Sequence, residues 1–240
     1  MLDLICCATA SNPDRIKQQV KTRQEVEGKG CLIYSLGSAN NTLDFENSLR
    51  DLFQGTLCEI HVFDPNLKNS SSFEVSEMIH VHPWEITKTR VHSVVSSSLK
   101  QNGEVVQKPI ITFQDLVVLL GHEKRIVDVL SINCNNRCEW DAYRDWLSAD
   151  QTGLVDIRQI IIEVRDAPLA AVDFFISHQN AGFVIFHKEA ILDRDCASSR
   201  SLAIEYGFLK LKKEFFFAGI SGNSKDAKEK ENLLNQTDTL

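Results

Sequence analysis

No apolar run in this chain reaches the length of a membrane span, no cluster of lysines and arginines stands out, and no two cysteines form a C-x-x-C pair. Each absence removes a class of protein. A spanning helix needs about 20 apolar residues, and the apolar start, Met1 to Ala8, is too short for one and lacks the basic beginning of a secretory signal. The chain is therefore expected to be soluble as given, with its compartment left open. A net charge of -7 without a local basic patch excludes a general nucleic-acid binder. The seven cysteines, Cys6, Cys7, Cys31, Cys58, Cys134, Cys138 and Cys196, lack zinc-site spacing. Cys31 and Cys58 each begin an apolar run and are expected as small buried hydrophobes. Also missing is G-x-G-x-x-G, without which a dinucleotide pyrophosphate is poorly served and a nicotinamide oxidoreductase is disfavoured. Three N-x-S/T triplets, at Asn40, Asn69 and Asn235, are too short a pattern to decide anything.

What is present reads as α/β. With 240 residues, 43% hydrophobic and 25% charged, one large domain can bury its apolar side chains in a single core. Asn12-Pro13 opens a helix to Val26. Cys31 to Leu36 is a continuous apolar run, the pattern of a central parallel strand. Gly37 to Thr42 forms a polar turn, and Leu43, Phe45, Leu49, Leu52 and Phe53 make a helical stripe. Cys58 to Phe63 alternates as a second strand and closes on Asp64-Pro65. Glu77 to His82 is a third strand stopped by Pro83-Trp84. Val91 to Val95 and Glu104 to Val106 flank Asn102-Gly103 as an edge hairpin. Thr112 and Asp115 cap a helix to Leu120, with Asp in place of the usual Glu or Gln. Strands follow at Ile126 to Asn133 and Ile157 to Val164, with helices at Cys138 to Ser148 and Leu169 to Asn180. Phe183 to His187 and Ile204 to Leu211 are the last strands.

Alternating strands and helices require a parallel sheet with right-handed crossovers, and the final helix-free pair gives an antiparallel C-terminal edge. The expected fold is a Rossmann-like, seven-stranded, mostly parallel sheet with helices on both faces, the arrangement of S-adenosylmethionine-dependent methyltransferases. The expected division is a helical extension over 1–30, the domain over 31–220 and a disordered tail over 221–240.

Open α/β sheets bind ligands beyond the carboxyl ends of their strands, so the candidate residues lie there. Gly37 lets the backbone approach a ligand, and Ser38 and Asn40 can add hydrogen bonds. Asp64 can accept both hydroxyls of a ribose. With Ser35 and Asn133 on the neighbouring strand ends, the cofactor-binding set is Ser35, Gly37, Ser38, Asn40, Asp64 and Asn133. His80 and His82 share a strand face, but a zinc centre takes at least three protein ligands and no third follows nearby. No metal site is assigned there. The pair is expected to line the pocket, with Trp84 placed to pack on a purine. Glu163, beside Arg165, is either a strand-end ligand or half of an ion pair. His187 and Lys188 are expected as solvated rim residues. Cys134 and Cys138 could meet only if their turn folds back, and two core thiols are the expectation.

An ordered set of stretches resembles the methyltransferase-domain proteins related to FkbM-type enzymes and to methyltransferase-like protein 24. These are Leu32-Ile-Tyr-Ser-Leu-Gly-Ser38, Cys58-Glu-Ile-His-Val-Phe-Asp-Pro65, His82-Pro-Trp84, Asp128-Val-Leu-Ser-Ile-Asn-Cys134 with Cys138-Glu-Trp140, Ile157-Arg-Gln-Ile-Ile-Ile-Glu-Val164, Gly182-Phe-Val-Ile-Phe-His-Lys-Glu189 and Glu205-Tyr-Gly-Phe-Leu-Lys-Leu211, together covering roughly residues 31 to 216. The resemblance implies S-adenosylmethionine as cofactor, Gly37 in its turn and Asp64 on its ribose. The acceptor, a small molecule, a glycan or a protein, is not named by it. Where the family has Lys-Ile-Asp-Cys-Glu-Gly-Cys-Glu-Trp, this chain has Ser131, Asn133, Asn135 and Asn136, with one extra residue around Arg137. The family's Glu-Val-His becomes Glu163-Val164-Arg165. These changes remove acids and bases from the acceptor side, and losing one typically costs 10²- to 10⁴-fold in rate. Two expectations follow: a methyltransferase, or a catalytically inactive methyltransferase-like binding domain.

Overall fold

The computed structural model describes residues 30–37, 43–54, 56–65, 67, 77–87, 95–99, 105–133, 138–165, 171–191 and 203–211, with 95–99, 105–108, 138–141, 165 and 191 described by backbone alone. The expected helix over 12–26, the turn residues Ser38 and Asn40, the loop residues Cys134, Asn135, Asn136 and Arg137, and the tail from 221 lie outside them. The chain divides into two units, Met1–Lys210 and Leu211–Leu240, and every element below belongs to the first.

In chain order the elements are β1 (Leu32–Leu36), α1 (Asp44–Leu52), β2 (Glu59–Phe63), β3 (Ile79–His82), β4 (Glu85–Ile86), β5 (Val95–Leu99) and β6 (Val105–Ile111). Then come α2 (Phe113–Leu119), β7 (Ile126–Val127), β8 (Val129–Ile132), α3 (Cys138–Gln151), β9 (Asp156–Ile157), β10 (Gln159–Arg165), α4 (Ala171–Asn180), β11 (Phe183–Ile191) and β12 (Ala203–Lys210). Seven strands form one sheet in the order β11-β12-β10-β8-β1-β2-β3. All pairs among β10, β8, β1, β2 and β3 are parallel, and β12 pairs antiparallel with both β10 and β11. The reversed strand is thus inserted next to the edge rather than forming it.

Strand alternation divides the core between the two faces of the sheet. Leu32, Tyr34 and Leu36 face α2, α3 and α4, where Phe113, Trp146 and Phe174 are all fully buried. Cys31 and Ile33 face the other way, toward Leu43, Leu49 and Phe53 of the α1 segment. The N-terminus of α2 is capped as its sequence predicts: the Asp115 amide donates to Thr112 Oγ1 at 3.1 Å, and Thr112 Oγ1 donates to Asp115 Oδ2 at 2.8 Å. Gly182, with φ of 87°, takes the left-handed conformation that ends α4. No helix among the described residues is long and apolar enough to cross a membrane.

Three expectations change. Cys31 and Cys58 are buried but joined as a disulfide. They lie 27 residues apart, but the parallel register that pairs Leu32 with Glu59 sets the two preceding cysteines side by side. The hairpin forms between β5 and β6, with its first strand later than predicted, and it belongs to a separate three-stranded sheet with β4 rather than to an edge of the main one. On α1, Phe45 is exposed and Glu46 takes the inward place between Leu43 and Leu49, because i, i+3 spacing from both leucines puts position 46 on the buried stripe.

Candidate functional site

The strand ends that form the predicted crevice are laced together through their backbones. The Gly37 amide donates to Phe63 O at 2.8 Å, the Asn133 amide to Leu36 O at 2.8 Å, and the Asp64 amide to His82 O at 3.1 Å. This places Asn133, Gly37 and Asp64 along one edge, at the ends of β8, β1 and β2. Gly37 has φ of 83°, where an L side chain would be strained, so the turn after β1 requires glycine. Asp64 is 3% exposed. Ser131 lies further inside β8, half-buried, level with Ser35 of β1.

Sequence reasoning missed the carboxylate beneath this turn. Ser35 Oγ donates to Glu46 Oε1 at 2.6 Å and lies 3.5 Å from Gly37 O. Burial pushes the Glu46 carboxyl above its usual range. The Ser35 hydrogen bond opposes that shift, while the negative charges of Asp44 and Asp64 add to it. A buried Ser35–Glu46 pair therefore lies against the Gly37 carbonyl. The signal available in the sequence was a glutamate interrupting an apolar helical stripe three residues from a leucine on either side.

Other candidates fall elsewhere. Trp84 packs its ring on His82, with centroids 4.6 Å apart, and on Phe63 at 6.1 Å. His82 turns toward His61. His187 is held between Glu189 and Glu205 at 3.5 and 3.8 Å, and the Lys188 ammonium lies over the Tyr206 ring at 5.6 Å. Glu163 is half-buried and sits opposite Glu205 in the β10–β12 register. The side chain of Arg165 lies outside the described residues.

A second polar group, also missed from sequence, occupies the α2 face of the sheet nearer the amino ends of β1 and β2. His61 of β2 stands level with Tyr34 of β1 and His80 of β3. His61 Nδ1 and His82 Nε2 are 3.0 Å apart, and the Tyr34 hydroxyl and His122 Nδ1 are 2.7 Å apart. Glu59 Oε2 lies 3.7 Å from Nε2 of both His61 and His122. Arg125 forks onto Glu59 with bonds of 2.7 and 3.0 Å. Burial, aided by the other imidazoles, holds His61 down at about 3. Burial and His80 similarly hold His82 at about 4. Burial pushes Glu59 up, but the Arg125 fork, with His122 and His61 beside it, leaves the carboxyl below its ordinary range. Glu59 and Arg125 also help line a cavity of about 500 Å³ with Leu57, Cys58 and Met78.

A β11-β12-β10-β8-β1-β2-β3 sheet with one reversed strand and a glycine turn after β1 is the Rossmann-like methyltransferase fold. The model of a family described as "Methyltransferase domain" matches residues 7–210, and the chain belongs to that family. It is 29% identical over 144 residues to human "Probable methyltransferase-like protein 24", an alignment covering 59% of this chain and 34% of that protein. The chain thus spans about a third of that relative's length. Two solved structures align more loosely. One is a Pyrococcus horikoshii protein described as a "putative RNA methyltransferase", at 15% identity and a TM-score of 0.38, covering 84% of this chain and 86% of that one. The other is Thermoplasma acidophilum 1320, at 12% identity and a TM-score of 0.31, covering 81% and 84%.

Proposed function

We propose that this chain is an S-adenosylmethionine-dependent methyltransferase domain that binds its cofactor across the ends of β1, β2 and β8. The observation that carries this reading is Asp64, an almost fully buried carboxylate at the end of β2, beside a positive-φ glycine whose amide is tied to Phe63. The donor set fits the group. A carboxylate is acceptor-only and can take two hydroxyl protons at once, which suits the vicinal diol of a ribose. Gly37 keeps side-chain atoms away from the place where a nucleoside would approach. Ser35 and Glu46 hold the turn from below, and Asn133 offers an amide from β8. Ser38 and Asn40 would complete the set from the turn itself.

When bound, the cofactor supplies a methyl group already activated by a sulfonium. The chain's own part is then mainly positioning, which can contribute about 7 to 11 kcal/mol toward a bimolecular reaction. Asp64 fixes the sugar, Gly37 permits close approach, and the buried Ser35–Glu46 pair supports Gly37 through its carbonyl. The rival reading, a domain that binds cofactor without transferring the methyl, draws on Asn133, an amide at the strand end where the related family has an acid.

Calorimetry with S-adenosylmethionine and S-adenosylhomocysteine tests the proposal. Saturable binding is expected, and Asp64→Asn should weaken it about 10- to 100-fold, the loss of a hydrogen bond to a charged group. No heat at millimolar ligand, or an unchanged affinity in the variant, overturns the cofactor assignment.

A further inference from the structure

We propose that His61, His122 and Glu59 form a binding site for a divalent cation of the zinc class, separate from the cofactor crevice and independent of the methyltransferase reading. One ligand atom from each residue lies within 4.8 Å of the other two. A tetrahedral zinc ion with nitrogen and oxygen ligands at about 2.0–2.2 Å sets its donors roughly 3.3 Å apart. The two Glu59-to-imidazole distances of 3.7 Å are therefore already close to those of a filled site.

The second observation is His61 itself. It is 7% exposed, and its Nε2 is buried without a hydrogen-bond partner among the described residues. A buried polar atom left unpaired is costly, and this one faces the Glu59 carboxylate. Outer contacts are those expected around metal-bound histidines, whose remaining ring nitrogen is normally held by a further hydrogen bond. If His61 Nδ1–H donates to His82 Nε2 and His122 Nδ1–H donates to the Tyr34 hydroxyl, both tautomers leave an Nε2 lone pair directed at the same space. The Arg125 guanidinium opposes the charge of an incoming ion. Its bond to Glu59 Oε2, however, uses one of that oxygen's two lone pairs and leaves the other for the metal.

Two imidazoles and one carboxylate suit zinc or cobalt and do not suit magnesium or calcium, which take oxygen ligands. The site is set back from the proposed cofactor turn: Glu59 and His61 precede Asp64 by five and three residues, about 16 and 10 Å along an extended strand.

The test uses the whole chain, stripped with a chelator and titrated with zinc alone against a chromophoric competitor. One equivalent is expected to bind, without competition from excess magnesium. His122→Gln should weaken binding at least about 100-fold, since changing even an outer-shell partner typically costs 10- to 100-fold. Tyr34→Phe should fall in that 10- to 100-fold range. The cobalt derivative should show visible d–d bands without a thiolate charge-transfer band. In wild-type protein, long-range ¹⁵N histidine spectra should show zinc shifting Nε2 of two rings while Nδ1 stays protonated, a readout that needs no variant to fold. The proposal is overturned by no uptake, by a thiolate band pointing to cysteines, by histidine spectra that zinc does not move, or by an affinity unchanged in a folded His122→Gln.

Discussion

His61 and His178 are both buried histidines whose Nε2 has no hydrogen-bond partner among the described residues, yet their surroundings differ in kind. His178 is wholly buried in α4, where its Nδ1–H donates to Phe174 O at 2.8 Å. Its ring is enclosed by Phe174, Phe208, Tyr143 and Phe183 at centroid distances of 4.2 to 6.1 Å. His61 instead meets Glu59, His82 and His122 through its ring nitrogens or across ring faces. An unpaired nitrogen among aromatic carbon is packing. The same nitrogen among other donor atoms is what the proposed cation site would use.

The largest expected effect concerns pH and His178. Burial holds this ring at about 4, against 6.5 in an exposed histidine, with the Phe174 carbonyl opposing the shift. The neutral form is the one that fits the fold. Its contribution is therefore complete above pH 6.5 and is lost as pH falls from 6.5 toward 4, up to about 3 kcal/mol at 1.36 kcal/mol per unit. By urea unfolding, the loss of stability across that interval should be greater in wild type than in His178→Phe by that amount. Parallel curves would show that His178 is not held neutral by the fold.

Zinc should separate the two histidines next. At a hundredfold excess over its dissociation constant a ligand specific to the folded state stabilises by about 2.7 kcal/mol. That protection should vanish in His61→Phe and persist in His178→Phe. Equal loss in both variants would erase the distinction. The smallest effect is expected near pH 8 without metal, where His178→Phe should lie within about 1 kcal/mol of wild type in unfolding free energy, because an apolar ring of similar shape gives up only the bond from Nδ1 to Phe174 O.

The proposed cofactor crevice was the more legible of the two proposed sites. Its parts are strand ends and turns, and their chemistry is written in consecutive residues: an apolar run followed by Gly37, an alternating run closing on Asp64-Pro65. Glu46 was harder to see because only the helical phase reveals that it shares the buried stripe with Leu43 and Leu49. The histidine group was invisible for a different reason. His122 follows α2 and lies 61 positions after His61, so no ligand motif spans them, and the visible pair, His80 and His82, divides between an exposed ring and one bonded to His61. The disulfide escaped similarly, because two cysteines each opening a strand say nothing about register.

By itself, then, the sequence determined the alternation of strands and helices, the parallel core, the reversed strand near the end of the chain and the glycine turn. All of these follow from hydrophobic periodicity and local backbone preference, which act between near neighbours. Only the tertiary structure decided which polar side chains share a space. Pairing β2 between β1 and β3 sets His61 between Tyr34 and His80, and the return of the chain after α2 brings His122 against Tyr34. Such meetings depend on strand order and register, which are fixed when the whole sheet buries its two faces together.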